Sequence, residues 1–72
     1  MPLLIAPINV TLKVIKIFLT DKTKKRLESL GITIGTTFSL IQTTKSGVII
    51  LLHEGRLALD KDIAGKILVA TI

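Results

Sequence analysis

Residues 20–36 read TDKTKKRLESLGITIGT, and the spacing inside this stretch decides how its surroundings are read. Thr20 or Asp21 can accept the free amide hydrogens of a helix start, and Gly31 can adopt the left-handed conformation that closes one. A short helix over 21–30 is predicted. On it Thr23, Leu27 and Leu30 share one arc at the three-four spacing and are expected to face a core, whereas Lys22, Lys25 and Arg26 point outward. Ahead of the helix, VTLKVIKIF over 10–18 is β-branched and apolar and reads as a strand. Its Lys13 and Lys16 would fall on opposite faces of a regular strand, which predicts a bulge near Ile15.

Beyond Gly31 the spacing is β-like throughout. Gly35 makes a turn after Ile32 and Ile34, and 36–44 is a threonine-rich strand with Phe38 and Leu40 inward. Lys45-Ser46-Gly47 forms a tight hairpin loop, and 48–53 is the most buried strand. Glu54-Gly55 turns into 56–59, with Leu57 and Leu59 on the inner face. Asp60 caps a single helical turn before a last strand over 67–71. Phe18 and Phe38 both fall where a core wants them. Gly31, Gly35, Gly47 and Gly55 are read as turn and cap residues. The expectation is a mainly β protein in one domain over 1–72: a small, strongly bent barrel of five short strands, with one short helix after the first strand and a single helical turn before the last.

The chain has 72 residues, 49% of them hydrophobic and 21% charged, about half the length of a typical domain and apolar enough to fold. Its charge is uneven. Residues 13–26 carry six cations against Asp21, while 27–72 balance four cations with four carboxylates. A local excess of this kind suits an anionic partner. Cations near a helix start also oppose the macrodipole, each at a few tenths of a kcal/mol up to about 1 kcal/mol. Their placement therefore points to a partner rather than to the fold. The first twelve residues are uncharged but lack a basic start and a small-residue cleavage site, and Pro2 and Pro7 interrupt them. An export signal is not expected, and a cytoplasmic location is.

Chemistry is sparse. There is no cysteine and a single histidine, His53, so no nucleophile-and-base set can be assembled, and catalytic residues, cofactors and metal sites are all expected to be absent. On a regular strand His53 and Glu54 point to opposite faces and cannot both reach one ion. Gly31-x-x-x-Gly35 follows a helix instead of preceding one, which excludes a phosphate-cradling loop. Two phenylalanines with no Trp or Tyr argue against base stacking and against a proline-rich-peptide groove.

The run Leu27-x-x-Leu30-Gly31-Ile32-x-x-Gly35, preceded by the basic helix and followed by Thr36, resembles the ferrous iron transport protein A family (FeoA). Gly47, then Gly55-Arg56-Leu57-Ala58-Leu59, Ala64 and Ile67-x-Val69 extend the resemblance over about residues 7–71. Ile34 stands where the family usually has proline, and Asn9 where a glycine is common; Asn tolerates the left-handed conformation that such a turn needs. The resemblance implies an SH3-like barrel in a bacterial cytoplasmic accessory protein of ferrous iron uptake. It implies docking on the cytoplasmic part of a FeoB-type GTP-binding membrane transporter, which would hold the protein peripherally at the inner membrane.

Two other classes fit the residues: a small basic barrel binding nucleic acid phosphates, and a stand-alone relative of the C-terminal domain of metal-dependent repressors. For docking, the candidates are Lys22, Lys25 and Arg26 on the helix, with Ile34 and Ile41. The chain holds 28 Ile, Leu and Val, more than a barrel this small is expected to bury. Some of Ile8, Ile34, Ile41 and Ile50 are therefore expected at the surface. An open sheet edge such as 36–44 would allow weak self-association.

Overall fold

Along strand β1 (Thr11–Ile17) burial alternates strictly up to Val14, and then Ile15 and Lys16 turn outward together. The cause lies in the ladder with the last strand, β5 (Ile67–Thr71), whose register slips between Val14 and Lys16. This computed structural model, which describes residues 1–72, thus contains the expected bulge at Ile15. The bulge resets the parity of the strand so that Ile17 is again buried. Phe18 then falls outward and is 54% exposed, which corrects its expected place in the core.

Strands β2 (Thr37–Thr44), β3 (Gly47–Leu52) and β4 (Gly55–Asp60) form consecutive antiparallel hairpins, giving one sheet in the order β4-β3-β2-β1-β5. A second register slip, between Leu40 and Gln42, bends β2 at Ile41. Two bulges in neighbouring strands curl the sheet, and its concave face closes on a single apolar cluster that includes Leu12, Val14, Phe38, Leu40, Val48, Ile50, Ile67 and Val69. No polar or charged side chain is buried. Ile50 is at 0% exposure, so it drops out of the four isoleucines from which exposed ones were expected, in keeping with its place on the most buried strand. Strand β2 lies inside the sheet, which places the edges at β4 and β5 and not at 36–44.

The β3–β4 turn is tighter than its glycine suggests. Gly55 pairs with Leu52, leaving His53 and Glu54 as the two-residue tip, with His53 at φ 56. The N-terminal residues, which carry no periodic signal in the sequence, are tied into the sheet. Met1 bonds Val69 twice, donating from its ammonium at 2.9 Å and accepting from the Val69 N–H at 2.7 Å, and Pro2 bridges Leu68. A 3-10 turn over Leu3–Ile5 then buries Leu3 completely.

Helix α1 (Asp21–Ser29) starts at Thr20, whose hydroxyl bonds the Thr23 hydroxyl at 3.2 Å instead of capping an amide. Helix α2 (Lys61–Ala64) is capped as expected, with an Asp60 carboxylate oxygen accepting from the Ile63 N–H at 2.8 Å.

Candidate functional site

Helix α1 is nine residues long and buries only Leu27. Thr23 and Lys24 are half-buried, while Lys22, Lys25 and Arg26 are exposed. Leu30, expected to face the core, is 47% exposed. The C-terminal geometry accounts for this. The Ile32 N–H donates to the Leu27 carbonyl at 2.9 Å, which swings Ile32 beneath the helix to 0% exposure. With that inward position filled by Ile32, Leu30 is left above a groove. The reversal runs through Gly31 at φ 94, a conformation that glycine adopts without the clash a Cβ would meet.

That groove has a volume of about 210 Å³ and runs between α1, the edge strand β4 and α2, with Leu27, Leu30, Ala58, Leu59 and Ile63 on its walls. Arg26 stands on the helical rim, and Asp60, already occupied in capping α2, on the opposite one. A shallower depression of about 380 Å³ lies between the β2–β3 hairpin and β4, around Gly47 and Ala58. A Cβ on Gly47 would collide with the Leu59 carbonyl oxygen and lie 2.8 Å from the Asp60 Cα. Only a glycine lets β4 approach there.

The apolar candidates Ile34 and Ile41 line neither groove. Ile34, 59% exposed, sits in a turn pinned to β1: the Gly35 N–H donates to the Val14 carbonyl at 2.8 Å, and the Val14 N–H to the Thr36 carbonyl at 2.9 Å. The Thr36 hydroxyl locks this turn, accepting from the Thr33 N–H at 3.0 Å and donating to the Gly31 carbonyl at 3.2 Å. Ile41, at the bend of β2, is half-buried, and Ile8 is 49% exposed. Sequence reasoning misses Ile15, Phe18 and Leu30 as surface residues. Counting one extra residue through the bulge would find the first two.

No group of three or more His, Cys, Asp or Glu side chains gathers where a metal ion could be held. His53 is exposed at the β3–β4 tip, and its Nε2 would lie 3.4 Å from a Cβ built on Gly31. The tip thus packs against the end of α1. No helix is long and apolar enough to cross a membrane.

Five antiparallel strands bent over one wholly apolar core, with a short basic helix after the first strand, define a small SH3-like β domain. Solved structures agree. A crystal structure of the iron uptake regulatory protein FeoA matches with a TM-score of 0.88 at 26% identity, over 100% of this chain and 97% of that one. A FeoA-like protein from Clostridium acetobutylicum matches at 0.82 and 26% identity, over 100% and 86% of the two chains. ScaR with bound Zn2+ shares the fold at 0.89 and 18% identity, this chain spanning 37% of its length. A comparison with curated protein sequences gives no match. The chain belongs to the FeoA domain family, whose model matches residues 1–71. Ferrous iron transport is the process to which that family points.

Proposed function

We propose that the chain is a non-enzymatic cytoplasmic adaptor of ferrous iron uptake that docks on the cytoplasmic part of a FeoB-type GTP-binding transporter. The carrying observation is the design of α1: a nine-residue helix holding one buried side chain and the exposed cations Lys22, Lys25 and Arg26. A helix with so little invested in the core, with Lys22 in its first turn set against the dipole and Lys25 and Arg26 exposed beyond it, is built for a contact outside the domain. The groove beneath Leu30 adds apolar area next to those cations, the combination from which interface cores and rims are made. Family membership supplies the process, and the absence of a nucleophile-and-base set favours contact over catalysis.

The test is a titration of the chain against the transporter's soluble cytoplasmic domain. Saturable binding is expected, weakened at least tenfold by reversing charge at both Lys25 and Arg26. Failure to bind at high-micromolar concentration, together with iron uptake unchanged by the double reversal, overturns the proposal.

A further inference from the structure

The helix holds only part of the positive charge, since Lys13 and Lys16 lie on the outer face of β1. The bulge places Ile15 beside Lys16 on that face, 48% exposed. Phe18 comes next, 54% exposed, with the Lys16 ammonium 5.0 Å from its ring centroid. Ile34 is carried alongside by the turn bonded to Val14, the residue just before Ile15. Ile15 and Phe18 thus flank Lys16, and Ile34 is exposed on the turn bonded to the same strand. None of these five residues lines either groove of the domain.

We infer that this face, Lys13-Ile15-Lys16-Phe18-Ile34, is a peripheral binding surface for anionic phospholipid. The chemistry fits a headgroup layer: lysines pair with phosphates at the surface, while Phe and Ile tips enter the boundary with the acyl chains. Exposed apolar side chains beside lysines on one short strand and its end, with Ile15 and Phe18 flanking Lys16, match a layer whose anionic surface overlies an apolar interior. Lys13 and Lys16 stand on a strand with no Asp or Glu anywhere in residues 1–20, so attraction to a negative leaflet is directed to this face. The surface is separate from the α1 cations proposed to dock on the transporter and does not depend on that docking.

Sedimentation of the purified chain with vesicles tests this. Binding is expected to phosphatidylcholine vesicles containing phosphatidylglycerol, to be lost without phosphatidylglycerol, and to fall as salt is raised. Lys13→Gln and Lys16→Gln are each expected to weaken partitioning roughly fivefold, and Phe18→Ser about tenfold. Ile34→Ser supplies a second apolar test outside the strand, and circular dichroism checks that each variant is folded. Equal binding to neutral vesicles, or none to anionic ones, overturns the inference. So does an outcome in which these substitutions abolish binding to the transporter's soluble domain while leaving lipid partitioning unchanged, because the surface would then be a protein interface.

Discussion

Helix α1 and strand β3 have opposite construction. Nine residues of α1 bury one side chain, whereas six residues of β3 bury Gly47, Val48, Ile50 and Leu52. Strand β3 is flanked on both sides by hydrogen-bonded neighbours, and α1 buries Leu27, half-buries Thr23 and Lys24, and exposes its other six residues. The difference separates two tasks that a small domain must fit into one chain. The strands make the fold, and the helix, given slack by the fold, is free to carry charge that would be a burden elsewhere.

Substitutions along this contrast should separate the two regions. Gly47→Ala places a methyl group on the Leu59 carbonyl and should cost about 4 kcal/mol, a large share of the roughly 4–10 kcal/mol expected for a chain of this size; the urea midpoint reads it. Ile50→Ala opens a cavity at a fully buried site and should cost about 3 kcal/mol, with amide exchange accelerated throughout the sheet. Leu27→Ala should cost about 2 kcal/mol, and its signature is different: protection is lost in α1 while the amides of β3 keep theirs. If Leu27→Ala exposed β3 as fully as Ile50→Ala does, the two regions would be one cooperative unit and the contrast would collapse. Asp60→Ala removes the cap of α2 and should cost about 1 kcal/mol, read from the thermal midpoint. Lys22→Glu should stabilise by about 0.3–0.5 kcal/mol at low salt. A loss of stability there would mean that the cations serve the fold after all.

The strand parts of this architecture are legible because alternation, turn residues and the clash of Lys13 with Lys16 each report on the same sheet. Even the bulge is readable. Its consequence for Phe18 is harder to see, since an apolar aromatic at the end of an apolar run suggests burial until the parity shift at Ile15 is counted. Leu30 lies on the correct helical arc, but the arc ends where Gly31 reverses the chain, and Ile32 takes the inward position. Helical periodicity is silent on residues beyond the cap. The burial of Leu3 is illegible for another reason: MPLLIAPIN has no period, and its place is set by pairing with β5, 68 positions away in the Met1–Val69 contact. The cations of α1 are found from charge alone. The grooves cannot be, because their walls come from segments distant in sequence.

The pairing of Met1 and Pro2 with β5 also sets how many partners the sheet can take through its backbone. A sheet with two free edges can add strands in both directions and propagate without limit. Here the outer edge of β5 is occupied around Leu68 and Val69, which leaves β4 as the side open to addition. In this sense the domain is monovalent. Association by strand addition would end with one β4 against another in a closed two-fold pair, a finite assembly rather than a fibre.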